Sequence, residues 1–148
     1  MPVRRLKPFR VVITGVENSG KTTLSAHLSK ALGWPWVQEA ARFDPAVLES
    51  RVQPNDLQRL LETFRAAIPP TDRVLFDTGP IVLNEWAKTR HGLVLDGVEE
   101  AMAEVDLFLF CRTLSYWEPD PLRSLPEMED RLALEQQYHH TLVNSGRP

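Results

Sequence analysis

The stretch ITGVENSGKTT, from Ile13 to Thr23, constrains the fold of this chain more than any other part of it. Gly15 and Gly20-Lys21-Thr22 satisfy G-x-x-x-x-G-K-[ST], with Val16, Glu17, Asn18 and Ser19 between them. Phe9 to Thr14 is a short run rich in β-branched residues and reads as a buried central strand. After the loop, Leu24, Leu28 and Leu32 recur every four residues and Gly33 closes the run, which predicts a helix with one apolar stripe. Strand, glycine loop and helix in that order are the context the motif requires. The glycines let the backbone curl so that several N–H groups face one anion, and the helix starting near Lys21 adds its amino-terminal dipole. The stretch therefore predicts a nucleoside triphosphate site. Lys21 reaches the β and γ phosphates and the Thr22 hydroxyl holds Mg²⁺. Thr23 either touches the α-phosphate or fills the first helical turn. Glu17 is unusual beside phosphates, because like charges repel. Its side chain is expected to face solvent or a cation, the alternative being a role near the acceptor.

Further along, Trp34 to Gln38 predicts a short second strand. Asp44-Pro45 reads as an N-cap and first-turn proline of a brief helix over 45–52. Pro54-Asn55 starts a longer helix, with Asn55 and Gln58 in the form of a capping box. Its buried face is Leu57, Leu60, Leu61, Phe64 and Ile68, and Pro69-Pro70 ends it. Arg73 to Asp77 is a third strand with an acid at its carboxyl end. Pro80 to His91 reads as a helix stopped by Gly92, a weaker helical pattern covers 97–104, and Val105 to Cys111 is the fourth strand. A loop from Arg112 to Leu125 follows, and Pro126 opens a helix to about Val143. This alternation is α/β with a mainly parallel sheet.

The 148 residues suit one domain over 1–148. With 43% hydrophobic and 25% charged residues the chain can build a core. The formal net charge of −3 argues against a nucleic-acid surface as the main business. No apolar run approaches the length of a membrane span. The basic N-terminus is not followed by a signal-type apolar segment, so a mature cytoplasmic start is expected. The single cysteine, Cys111, cannot form an internal disulfide, and a buried thiol in a reducing compartment is the expectation. Four tryptophans, Trp34, Trp36, Trp86 and Trp117, are expected mostly in the core. The oligomeric state is left open, a homodimer included.

In open parallel sheets, ligands bind beyond the carboxyl ends of the strands. The first and third strands would thus bring the phosphate loop and Asp77 to one rim. There Asp77 can bind Mg²⁺, accept a proton from an acceptor hydroxyl, or cap Gly79-Pro80. Glu39 and Arg42, three apart, face the same way if they share a helical turn. They then line the acceptor side or form a surface ion pair of little worth. Between 118 and 135 the chain is acidic, with Arg123 and Arg131 set among the carboxylates. Arg112, Arg123 and Arg131 are candidates for phosphate contact from a flap that excludes water, and Trp117 is the candidate to stack on a planar base.

Together these residues are familiar. The phosphate loop, WVQEAARF, VLFDTGP, DLFLF and YWEPDPLRSLPEMEDR resemble the AAA-like ATPase/kinase group of P-loop proteins that includes the ribosylnicotinamide kinase domain of the bifunctional NAD-biosynthesis regulator. The resemblance spans residues 9–148 and is narrowed by Glu39/Arg42, Asp77-Thr78 and the run Trp117, Asp120, Arg123. It implies a P-loop three-layer sandwich of kinase type, sheet order 2-3-1-4-5, and a lid. It also implies ATP, Mg²⁺ and phosphoryl transfer to the 5′-hydroxyl of nicotinamide riboside or a related nucleoside. By position, Lys21 and Thr22 carry phosphates and metal, Asp77 sits by metal and acceptor, Glu39 and Arg42 line the acceptor side, and Arg123 belongs to the lid. The adenylyltransferase domain of that regulator has no counterpart before Phe9. The fifth strand, expected after Pro148, has no counterpart, so the expected order is 2-3-1-4, either in a chain truncated at its C-terminus or in a fold that ends on an exposed fourth strand. Two other readings stand beside a kinase: a P-loop ATPase or switch acting on a protein partner, and a nucleotide-binding protein with little catalysis.

Overall fold

In the computed structural model, residues 8–67, 73–119 and 125–148 are described. The expected end of the long helix at Ile68 to Pro70, the basic N-terminal stretch, and Asp120 and Arg123 lie outside them.

Val11, Val12 and Ile13 sit in strand β1, Phe9–Gly15, at the centre of a four-stranded sheet. Its partners are β2 (Trp36–Val37), β3 (Arg73–Asp77) and β4 (Leu107–Cys111), in the order β2-β3-β1-β4. Every pairing is parallel. The β-branched, apolar sequence of β1 follows from this position, because a central parallel strand is covered on both faces. Val11 and Ile13, with Leu75, face the Leu24 and Leu28 side chains of helix α1, Lys21–Leu32. Val12, with Val74, Phe76 and Phe108, faces the opposite layer. That layer comprises α2 (Pro45–Leu48), α3 (Pro54–Ala66), α4 (Pro80–His91), α5 (Val98–Ala103) and α6 (Met128–Ser145). The result is three layers, one of them formed by α1. The apolar stripe of α1 ends at Leu28, since Leu32 is half exposed.

Several predicted boundaries move. The second strand keeps only Trp36–Val37 of 34–38, because only those two residues pair with β3. The brief helix stops at Leu48 rather than 52, where Ser50 turns to a positive φ of 54°. Its cap is as expected: Asp44 Oδ1 accepts from the Ala46 N–H at 3.0 Å. The capping box of α3 is displaced by two residues. Gln53, not Asn55, is the cap, and its N–H donates to Asp56 Oδ2 at 2.8 Å. Pro54 explains the shift, since a proline at the first helical position needs no N–H partner and Asn55 is already inside the helix. The last helix starts at Met128 rather than Pro126 and continues to Ser145. On the open side of β4, the Phe108 N–H donates to the Pro148 carbonyl at 2.8 Å.

Gly15 ends β1 at φ 146°, and a Cβ there would meet the Cys111 carbonyl oxygen of β4 at 2.4 Å. That oxygen is backbone held in the β1–β4 ladder and cannot swing away. Gly15→Ala is therefore expected to destabilise the fold by about 1–3 kcal/mol, the usual scale of local backbone strain. A urea melt unchanged from wild type would contradict this.

Candidate functional site

Beyond the carboxyl ends of β1 and β3 lies a cavity of about 900 Å³. Its floor is the phosphate loop, Gly15 and residues 17–23. The loop folds back on itself through left-handed backbone at Asn18 and Gly20, φ 58° and 80°. The Ser19 hydroxyl donates to the Val16 carbonyl at 2.6 Å, and Lys21 Nζ donates to the same carbonyl at 2.8 Å. Gly20 immediately precedes α1, whose Leu24 N–H returns to the Gly20 carbonyl at 2.9 Å. The Lys21 ammonium is thus set at the mouth of a helix amino terminus, where an anion is favoured. Burial pushes the Lys21 pKa down, and Glu39, Asp77, Cys111 and Glu17 pull it back up. A bound phosphate would add to the second group and hold the lysine charged.

Asp77 reaches this floor because Ile13 and Asp77 are paired across the sheet. The Thr78 N–H continues the pairing to the Ile13 carbonyl at 2.8 Å. Thr22 Oγ1 donates to Asp77 Oδ2 at 2.6 Å, and the Thr78 hydroxyl lies 3.4 Å from Oδ1. The pair offers a hydroxyl and a carboxylate side by side, the hard oxygen set that Mg²⁺ takes when phosphates and water supply the rest. Among the described residues no group of three or more His, Cys, Asp or Glu is placed to hold a metal ion. A cation in this cavity would therefore depend on the nucleotide for its remaining ligands.

Glu39 and Arg42 line the opposite wall, carried by a 3-10 turn at Ala40–Phe43 that directly follows β2. Their side chains pair at 3.7 Å. Burial raises the Glu39 pKa, Asp77 adds to that, and Lys21, Arg42 and the Thr78 hydroxyl oppose it. Thr23 also faces the cavity.

Other candidates stand elsewhere. Arg112 is largely exposed, 3.5 Å from Glu135, and does not line the cavity. Arg131, a candidate for phosphate contact, is instead buried at 1% exposure. It donates to the carbonyls of Leu125, Pro126 and Leu114 and to the Thr113 hydroxyl. Trp117, expected to stack on a base, lies 5.0 Å from the Arg131 guanidinium and is not part of the cavity lining. Cys111 is half-buried, and burial pushes its thiol pKa up. Glu17 lines the cavity, and its carboxylate accepts from the Leu125 N–H.

The sequence reading missed the walls that α4 and α6 form. Val82, Glu85, Trp86, Thr89 and Arg90 of α4 face the cavity. Their spacing of three and four is that of one helical face, and the helix starts just past Asp77, at the binding rim. Those two facts together were the available signal. The Arg90 guanidinium lies 5.5 Å from the Trp86 ring centre, a cation–π contact.

The fold has solved counterparts. The NadR protein in complex with NR superposes with a TM-score of 0.75 at 22% identity, over 97% of this chain and 44% of that one. The YorR protein of Bacillus subtilis in complex with phosphorylated GDP gives 0.58 at 17% identity, covering 94% and 82%. Deoxyadenosine kinase from M. mycoides with bound dATP gives 0.54 at 16% identity, covering 93% and 81%. The chain spans less than half the length of the NadR protein. Comparison with curated proteins by sequence gives no match. The α/β fold, with its parallel sheet in the order β2-β3-β1-β4, is shared with these structures, and no described helix is long and apolar enough to cross a membrane. Residues 10–148 match the family model described as AAA domain, and the chain belongs to that family.

Proposed function

We propose that this protein transfers the γ-phosphoryl group of ATP to a hydroxyl of a small acceptor, most plausibly the 5′-hydroxyl of a nucleoside such as nicotinamide riboside. One observation carries the reading: Glu39, with a raised pKa, faces the phosphate loop across the same cavity as Lys21 and Thr22, whose hydroxyl Asp77 holds from below. A carboxylate with a raised pKa is the better base, and a base opposite a triphosphate has an acceptor proton to take. The names of the similar structures agree, since they include a complex with NR and a deoxyadenosine kinase.

In this mechanism the loop N–H groups and Lys21 bind the donor phosphates. Thr22 and Asp77 would hold Mg²⁺, which neutralises charge on the phosphate oxygens. Arg42 keeps Glu39 oriented. Glu39 takes the acceptor's hydroxyl proton as that oxygen bonds to the γ-phosphorus and the bond to the β-γ bridging oxygen breaks, releasing ADP. The α4 wall, with Trp86 and Arg90, lies where the rest of the acceptor would rest. Ringed by loop, turn and two helices, the cavity favours the acceptor over water.

The test is a panel of nucleosides incubated with ATP and Mg²⁺, with products read by mass. A new species heavier by one phosphoryl group, formed with stoichiometric ADP, is expected for at least one nucleoside. ATP hydrolysis at the same rate with every nucleoside and with none would favour the ATPase reading instead.

A further inference from the structure

Two side chains of the phosphate loop bind the cavity wall that follows β4. The Asn18 carbonyl accepts from the Leu114 N–H at 3.1 Å, its Oδ1 accepts from the Glu118 N–H at 3.1 Å, and its Nδ2 donates to the Tyr116 carbonyl. Glu17 then accepts from the Leu125 N–H on the far side of the same segment. Leu114, Tyr116, Glu118 and Leu125 all line the cavity. Neither side chain is needed for the loop's own turn, which is closed by Ser19 and Lys21 on the Val16 carbonyl. Asparagine also fits its place in a specific way. It tolerates the left-handed φ of 58°, and its amide carries a donor and an acceptor on separate atoms, whereas an ionised aspartate would only accept.

We infer that Glu17 and Asn18 are positioning residues that fasten the wall formed by residues 114–118 and Leu125 to the phosphate loop. On the reading of the cavity as a phosphoryl-transfer site, this couples the two substrates. A loop ordered by donor phosphates orders the wall it holds, and the wall confines the acceptor. Such coupling is reciprocal, so acceptor binding tightens the nucleotide by the same factor. Glu17 acts here through the carboxylate oxygen that accepts the Leu125 N–H.

Glu17→Ala and Glu17→Gln separate these roles, because glutamine keeps an acceptor oxygen and loses the charge. Hydrogen–deuterium exchange in the peptides covering 113–119 and 125–127, with and without ATP and Mg²⁺, needs no acceptor. Nucleotide is expected to slow exchange there in wild type and in Glu17→Gln, and to have no such effect in Glu17→Ala. Asn18→Gly, which keeps the backbone conformation, is expected to lose protection at 113–119. With an acceptor in hand, Glu17→Ala should raise the acceptor KM about tenfold, the scale of one lost hydrogen bond, with a smaller effect on the nucleotide KM. Glu17→Gln should recover most of it. If Glu17→Gln exchanges as fast as Glu17→Ala, the charge matters and the proposal fails. If both match wild type, the contacts do not fasten the wall and it fails as well. A chain that phosphorylates nothing yet shows the exchange pattern would overturn the kinase reading and keep this one.

Discussion

Glu39→Gln is expected to abolish most phosphoryl transfer while making the protein more stable. The loss follows from the role of the carboxylate as base, and removing a positioned general base reduces rate by about 10²–10⁴-fold. ATP binding should survive, because the loop, Lys21 and Thr22 are untouched. The gain in stability follows from the direction of the Glu39 pKa. Burial, helped by Asp77, raises it in the folded protein, so folding favours the protonated form. A raised acid contributes no penalty below its ordinary value of 4.5, then loses stability as pH rises through its folded pKa. Glutamine is neutral throughout. The thermal midpoint of Glu39→Gln should therefore match wild type near pH 4 and exceed it at pH 8. Wild-type transfer should fall as pH drops through the same pKa, and the residual rate of the variant should lack that limb. Transfer within twofold of wild type would remove Glu39 from the mechanism. A midpoint lower than wild type at pH 8 would mean that its attraction to Lys21 and Arg42 outweighs the burial.

Arg131→Met should be among the most damaging substitutions in the fold. The Arg131 side chain joins both ends of the segment after β4: Thr113 and Leu114 on one flank, Leu125 and Pro126 on the other. Methionine keeps much of the apolar stem and loses every donor. Three carbonyls and a hydroxyl would lose a partner, each buried acceptor costing about 1–3 kcal/mol when orphaned. Water entering the site would recover part, leaving an expected loss of about 3–5 kcal/mol. For a chain of this size that lowers the thermal midpoint by about 6–20 °C. A drop under 2 °C would mean that the segment holds itself in place without the arginine. The site should feel the change too, since Leu114 and Leu125 line the cavity.

The elements that could be read from sequence were those whose signal is local. β1, the loop and α1 are encoded by one stretch, in which φ-permissive glycines, β-branched residues and a four-residue apolar repeat each act within a few positions. Asp77 was legible because an apolar run ending in an acid delivers that acid to the rim of a parallel sheet, and here it meets Thr22. The Asp44 cap was legible for the same reason. The capping box of α3 was misplaced by two residues because Gln53-x-x-Asp56 and Asn55-x-x-Gln58 look alike until Pro54 is seen at the first helical position.

The placements of Arg112, Trp117 and Arg131 were not legible, and neither was the α4 wall. Nothing near Arg131 in sequence says whether its guanidinium turns out to a phosphate or in to backbone carbonyls. That choice depends on Thr113 and Leu114, brought to it by the return of the chain after β4. Once Arg131 is buried, its guanidinium lies over the Trp117 ring. Glu17 is settled the same way, by a backbone N–H more than a hundred residues away in sequence. The sequence alone determined that a phosphate cradle sits on a parallel sheet with an acid at its rim, because those features arise from backbone geometry over short spans. Only the tertiary structure decided which polar side chains face the cavity, because a long charged side chain takes the direction of whichever partner the fold brings within hydrogen-bond reach.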